Sequence, residues 1–404
     1  MNKKKLRILI SSNTPFSYSG YATTLSEIYL KIRDEGYPLA LSNFFGQEGY
    51  MKEIDGVIHY PKMNNPYGDD SMFFHGKDFK ADIVISNQDV WPLDYSILKS
   101  LNRFVPWVPI DLDPVPPAIV ERLRLAYRII TCSKFGYEQL KNFGIHSTYI
   151  PYSVDTEVFK PMDKKEMRKK YGIPDGFVFG MVAANKDMPP RKAFQEVMDA
   201  FKMFLQKHPD AYLYFNVPMG NPQGFPILEY AKILGIAERV FHNENYNIFF
   251  KLGKKEVAEV INCFDVSLNP SISEGFGLNC IESQSCGIPI ILNDWTSMPE
   301  LIIDGKTGWK TKVAHKRFTH LSSYVGEPDT QDLYEKMELS YKADRKVMGE
   351  SARKHIQENY DSKVVFEKHW KPFLEMVEKE IYEAHDAPDK IKEENSIDTE
   401  KATK

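Results

Sequence analysis

Residues 265–292 read DVSLNPSISEGFGLNCIESQSCGIPIIL. An apolar run at 265–269 ends in a loop with glycines at 275 and 277, a helix-length stretch closes at Gly287, and a second apolar run follows at 289–292. Strand, glycine-bearing loop, helix and strand in that order make a parallel crossover unit, because parallel neighbours cannot be joined by a tight turn. The alternation extends backwards through apolar runs at 240–242, 211–216 and 177–183. An earlier series lies at 7–11, 38–43, 82–86, 104–110, 128–132 and 148–151, again with helix-length segments between the runs. Such a pattern predicts parallel sheets covered on both faces, so the fold class is α/β with two doubly wound units.

The join lies in Ile150-Pro151-Tyr152-Ser153-Val154-Asp155, extended and punctuated by proline. Residues 1–152 are expected to form one domain and 153–360 a second. From Asp329 the periodicity is helical, and 363–383 reads as one long amphipathic helix around Val365, Phe366, Trp370, Phe373 and Val377. This C-terminal helical segment, 361–383, is the candidate to pack back on the first domain. Residues 384–404 are charged, poor in apolar residues and expected to be a solvated tail.

At 404 residues the chain is long enough for two ordinary cores, and 42% hydrophobic with 27% charged residues is a globular balance. A net charge of -4 supplies no global positive field for nucleic acid. Cys132, Cys263, Cys280 and Cys286 show no C-x-x-C pair and no zinc-ligand spacing, and read as reduced, mostly buried thiols. No apolar run reaches membrane-spanning length or signal-peptide form. The expected location is cytoplasmic, with a peripheral membrane position left open by the basic run Lys3-Lys4-Lys5-Arg7.

In open α/β sheets ligands bind at the carboxyl ends of strands, where helix N-termini also point. Gly275 and Gly277 would let backbone approach a ligand closely, and the N–H groups of Phe276, Gly277 and Leu278 would face a phosphate with the helix dipole behind them. Each such contact is worth roughly 0.3–1 kcal/mol when exposed. Glu282, about one turn inside the helix, can accept two ribose hydroxyls, and Glu274 stands near whatever the far phosphate carries. The spacing fits a nucleotide-sugar. A dinucleotide fingerprint would need a third glycine where Cys280 stands, with more strands after it. A glycosidase would need its carboxylates across a bond rather than along a ligand. After the run 82–86, Asp89 and Trp91 are further cleft candidates, the indole offering a stacking face.

With these residues in view, the chain resembles the retaining nucleotide-sugar glycosyltransferases of glycosyltransferase family 4. The resemblance rests on Glu274-Gly275-Phe276-Gly277-Leu278 with Glu282, on Gly287-Ile288-Pro289-Ile290-Ile291, and on Met298-Pro299-Glu300-Leu301-Ile302-Ile303-Asp304-Gly305-Lys306-Thr307-Gly308. Residues 150–155 are similar to the family's interdomain Ile-Pro-Asn-Gly-Val-Asp, with Tyr152-Ser153 in place of Asn-Gly. The resemblance implies two facing Rossmann-like domains, the GT-B fold. It implies transfer of a sugar from a nucleoside diphosphate to an acceptor hydroxyl with retained anomeric configuration, no metal and no cofactor beyond the sugar-nucleotide substrate. The family's diphosphate-binding Lys matches Lys192, placed on a predicted helix, while its Arg falls in Ala184-Asn185-Lys186, so that Lys186 or Arg191 would substitute. Gly20, in the first loop, would face the donor phosphate across the cleft. Asp111 and Asp113 occupy the strand end where the family often has His-Asp, and would orient the acceptor. Glu274 would position sugar hydroxyls rather than attack. A nucleotide-sugar epimerase, or a nucleotide-sugar-binding protein without transfer activity, are the alternatives. The acceptor (saccharide, lipid, protein or modified DNA base), the donor base and sugar, and the oligomeric state are left open.

Overall fold

The computed structural model describes residues 5–186 and 189–383. Part of the basic run (Lys3 and Lys4) and the charged stretch 384–404 lie outside the described residues.

The apolar runs of the first half become β1 (Ile8–Asn13), β2 (Leu39–Phe45), β3 (Lys52–Ile54), β4 (Val57–Tyr60), β5 (Ile83–Asn87), β6 (Phe104–Val108), β7 (Ile130–Thr131) and β8 (Thr148–Tyr149). Among the described residues they form one sheet in the order β3-β4-β2-β1-β5-β6-β7-β8, with only the β3–β4 pair antiparallel. In the second half β9 (Val178–Val182), β10 (Tyr212–Asn216), β11 (Val240–His242), β12 (Val266–Asn269), β13 (Ile290–Asn293) and β14 (Gly308–Thr311) form a parallel sheet ordered β11-β10-β9-β12-β13-β14. A separate antiparallel hairpin joins β15 (Val313–Phe318) to β16 (Tyr324–Pro328).

Strand order reverses beside β1 and again beside β9. At such reversals the connections leave on opposite faces and open a crevice at the carboxyl ends of the strands. The loops after β1, β5, β9 and β12 therefore carry most of the candidate residues.

The sequence reading did not include β3, β4, β14 or the hairpin. β3 and β15 carry Lys52, Glu53, His315, Lys316 and Arg317, which erase the apolar alternation; pairing with neighbours, not burial, holds them extended. Gly308 lets β14 lie against β13, since a Cβ there would fall 2.4 Å from the Ile290 carbonyl oxygen.

The chain crosses between the domains at Val154 and returns at 360–362. The crossings pair: Val154 N–H donates to the Tyr360 carbonyl and Ser362 N–H to the Val154 carbonyl, each at 3.0 Å. The terminal segment was expected as one uninterrupted helix. It runs Ser362–Val365, opens into a π turn at Phe366–Trp370, and resumes at Lys371–Glu383. Lys371 N–H bonds back five residues, to the Phe366 carbonyl. Pro372 supplies the reason: it has no N–H, and its ring crowds the carbonyl four residues back, so the helix widens ahead of it.

This segment lies on the first domain. Trp370 meets Trp107 edge-on at 4.9 Å between ring centroids, Arg128 pairs with Glu380 at 2.8 Å, and Lys371 with Glu35 at 3.1 Å. Trp107 continues to Tyr152 (4.6 Å), Tyr152 to Phe276 (5.3 Å) and Phe276 to Tyr360 (6.0 Å), an aromatic column shared by both domains. Tyr152, the departure from the family's linker pattern, thus fills the interdomain core, and its hydroxyl donates to Asn87 Oδ1 at 3.3 Å. All four cysteines are buried and free.

Candidate active site

Two helix N-termini meet across the cleft. Gly20 opens the helix Gly20–Asp34, capped by the Ser19 hydroxyl, which accepts from the Ala22 amide. A Cβ on Gly20 would lie 3.6 Å from Leu278 Cδ1, at the start of the helix Leu278–Ser285 in the other domain. Gly277 caps that second helix at φ +104, in the left-handed region where glycine is free of strain. The amides of Phe276, Gly277 and Leu278 find no protein acceptor among the described residues. Two positive dipole ends and free N–H groups in one place favour an anion.

Gly275 differs from expectation. Its missing side chain makes room for the first domain: a Cβ would stand 2.4 Å from Pro109 Cβ. Its carbonyl accepts from the Cys132 thiol at 3.3 Å. Domain packing therefore requires a glycine here. The Phe276 side chain belongs to the aromatic column, and its amide is the part left without a protein acceptor among the described residues.

Glu274 gathers the cations. Lys192 Nζ donates to Oε1, and Arg191 Nη1 stands 3.0 Å from Oε2 while also donating to the Ser273 carbonyl at 2.5 Å. Burial alone would push the Glu274 carboxyl up, but Lys192 and Arg191 outweigh it and hold it well below the usual carboxylate range. Lys192 is not on a helix as expected: the helix is Phe194–Leu205, and Ala193, buried at φ +54, turns the chain so that both cations point back at Glu274. Lys186 is exposed and joins no such cluster; its charge reaches Asp89. Asn185, where the resemblance would place an Arg, is committed to the backbone of Phe225 at 2.7 and 2.9 Å.

Glu282 is 9% exposed, and its carboxylate makes no hydrogen bond among the described residues. Burial pushes it up to about 7, with Lys254 pulling down and Glu27 pushing up. Those two form an ion pair between domains, Lys254 Nζ on Glu27 Oε1. Tyr18, from the first loop, is near enough for Glu282 to add to the rise that burial gives its hydroxyl.

The acceptor-side candidates separate. Asp89 accepts from the Tyr21 hydroxyl at 2.9 Å; burial raises its carboxyl, and the Tyr21 bond, Arg191 and Lys186 oppose. Asp111 is pushed up to about 6 by burial and then by Asp89, with Arg191 opposing and Glu274 adding. Its carbonyl accepts from the Ser273 hydroxyl, across the domains. Asp89, Asp111, Arg191 and Glu274 are therefore one electrostatic cluster. Asp113 is not part of it: its backbone bridges to Tyr324 of the hairpin (3.4 and 2.7 Å), a strap between domains, while its carboxylate accepts from Gln139 of its own domain at 3.2 Å. Trp91 is 43% exposed and leans on Tyr67 at 6.4 Å, with no contact to the cluster among the described residues. Tyr21, Lys254 and Glu27 were missed, because only tertiary contact reveals their part.

Comparison with solved structures decides the architecture. Sucrose-phosphate synthase from Thermosynechococcus elongatus superposes with a TM-score of 0.73 at 13% identity, covering 92% of this chain and 99% of that one. Anabaena HepE in complex with UDP-glucose gives 0.67 at 15% identity, with 91% and 99% covered. The fold is GT-B. Within the GT-B chain, residues 163–321 match the family model of glycosyl transferases group 1. The D-inositol 3-phosphate glycosyltransferase of Acidothermus cellulolyticus is 29% identical over 167 residues, 39% of this chain and 35% of the relative. The chain thus spans little more than a third of the length of the curated relatives it matches. Among the described residues, no helix of this GT-B chain is long and apolar enough to cross a membrane.

Proposed function

We propose that the protein is a cytoplasmic, metal-independent glycosyltransferase that moves a sugar from a nucleoside diphosphate to an acceptor hydroxyl with retention of configuration, as in family 4. The observation that carries this reading is the meeting of Gly20 and Leu278 at two helix N-termini, flanked on one side by Lys192, Arg191 and Glu274 and on the other by buried, unbonded Glu282. That sequence of groups matches a diphosphate, the sugar beyond it and the ribose behind it. The group 1 match over 163–321 and the UDP-glucose held by HepE support the donor class.

Departure of the diphosphate builds negative charge while the sugar becomes cation-like. Fixed amides at 276–278 with Lys192 and Arg191 stabilise that charge more in the transition state than in the ground state. Arg191 takes the part of the family's Arg, since it shares Glu274 with Lys192. Glu274 aligns sugar hydroxyls, and Glu282 accepts two ribose hydroxyls. Asp111 and Asp89 orient the acceptor hydroxyl on the sugar face the diphosphate leaves, and the leaving phosphate oxygen takes its proton.

The test is a panel of UDP-, GDP-, ADP- and dTDP-sugars scored by thermal shift, followed by NMR of the product anomer. A true donor at a hundredfold excess over Kd adds about 2.7 kcal/mol of apparent stability. A panel with no stabilising member, or an inverted product, overturns the reading.

A further inference from the structure

Thr296 follows β13 at φ +51. Of the non-glycine residues at positive φ among the described residues (Asp55, Lys80, Arg103, Ala193, Thr296 and Ser322), Thr296 alone is β-branched. A branched Cβ crowds the backbone in the left-handed region, so this conformation is strained and persists only where surrounding contacts dictate it. Glycine would make the same turn without strain. What threonine adds is a hydroxyl.

That hydroxyl closes on the backbone of Glu274 from both sides. Glu274 N–H donates to Thr296 Oγ1 at 3.3 Å, and Oγ1 stands 2.9 Å from the Glu274 carbonyl oxygen and 2.9 Å from that of Trp295, which share its one proton. Its neighbour Ser297 adds its own hydroxyl, 2.8 Å from the same carbonyl and 3.0 Å from that of Phe276. Glu274 itself sits between a residue fixed against the other domain, Gly275, and the Ser273 hydroxyl fixed on the Asp111 carbonyl. Lys192 and Arg191 also hold its carboxylate, but these are the groups a diphosphate would engage, which leaves the backbone clasp as the constraint that does not compete with the donor.

We propose that Thr296 is a positioning residue for sugar transfer: its strained hydroxyl clasp sets the backbone of Glu274, and through it the carboxylate that aligns the donor sugar. The inference rests on the donor reading above. Productive geometry tolerates only about half an ångström of slack, and a supporting hydrogen bond is the ordinary means of removing it.

Thr296→Ser, Thr296→Ala and Thr296→Gly separate this role from plain stability. The probes are the sugar nucleotide the panel selects, UDP-glucose first, and its sugar-free diphosphate, UDP. Thr296→Ser keeps the hydroxyl and is expected within about twofold of the parent kcat. Thr296→Ala and Thr296→Gly lose the clasp and are expected to lower kcat by about tenfold or more, with UDP affinity by calorimetry within twofold, because UDP carries no sugar for Glu274 to align. Thr296→Gly also relieves the φ strain, so it should melt no lower than Thr296→Ala while being just as slow. Parent-like kcat in the Ala and Gly variants overturns the inference and leaves the donor reading standing. So does a fall in kcat that tracks a fall in UDP affinity or melting temperature across all three. A parent that binds no sugar nucleotide and no diphosphate overturns both.

Discussion

Lys254 of the second domain is ion-paired with Glu27 of the first, and the pair stands beside Glu282. Glu27 is 4% exposed, and Lys254 is the cation paired with its carboxylate, so removing Lys254 takes away compensation for a buried charge. Lys254→Met should destabilise the protein by about 3–5 kcal/mol in urea unfolding, because it strands a buried carboxylate, and adding Glu27→Gln should recover most of the loss. If the two single variants and the double variant simply add, the pair is not coupled.

Glu282 predicts an unusual pH dependence. Its carboxyl ionises near 4.5 in the unfolded chain and at about 7 in the folded one, so the folded state holds the extra proton between these values. Ionising it therefore costs stability, increasingly from pH 4.5 upward and fully above 7, by on the order of 3 kcal/mol. Glu282→Gln should melt above the parent at pH 8 and level with it at pH 4. The same variant should bind nucleoside diphosphate about 10–100-fold more weakly, since a carboxylate accepting hydroxyls is replaced by a neutral amide. Equal melting at both pH values would refute the first part, and unchanged affinity the second.

Glu274→Ala should slow transfer by about a hundredfold or more while leaving diphosphate affinity unchanged or raised. Lys192, now held by Glu274, loses that competing carboxylate and keeps its charge for phosphate. Calorimetry with UDP and steady-state rates distinguish the two effects. A matching loss of UDP binding would count against the assigned roles.

Gly275→Ala tests the interdomain contact. Its Cβ would fall 2.4 Å from Pro109 Cβ, and a proline ring has no rotamer with which to yield. The domains must part, so small-angle scattering should show a larger radius of gyration and the rate should fall about a hundredfold, with far-UV circular dichroism unchanged. A variant as compact and as fast as the parent would show the contact to be dispensable.

Much of this architecture was legible because apolar runs and glycine stops carry it. β5, β9 and β12 are buried strands, and buried parallel strands announce themselves as continuous apolar runs. β15 is solvent-facing and carries His315, Lys316 and Arg317, so nothing local marks it. Glu274 and Glu282 could be named because a short segment fixes their spacing, whereas Lys192 and Arg191 are named only through the family resemblance. Asp113 and Trp91 stand apart from Asp111 and Asp89, because proximity in sequence does not say which way a loop turns after its strand. Tyr21, Thr296 and the Lys254–Glu27 pair act across long sequence separations, and no single-chain periodicity encodes such meetings.

Trp370, buried against Trp107, and Glu380, paired with Arg128, are supplied to the first domain by the terminal helical segment of the described chain. A nascent chain emerging from the ribosome normally completes its leading lobe before the trailing one is made. Here the leading lobe keeps an open aromatic seam through the whole synthesis of its partner, and closes it only when the residues around 370–382 are released. Both lobes therefore finish together, and neither is a natural cutting point for a shorter protein.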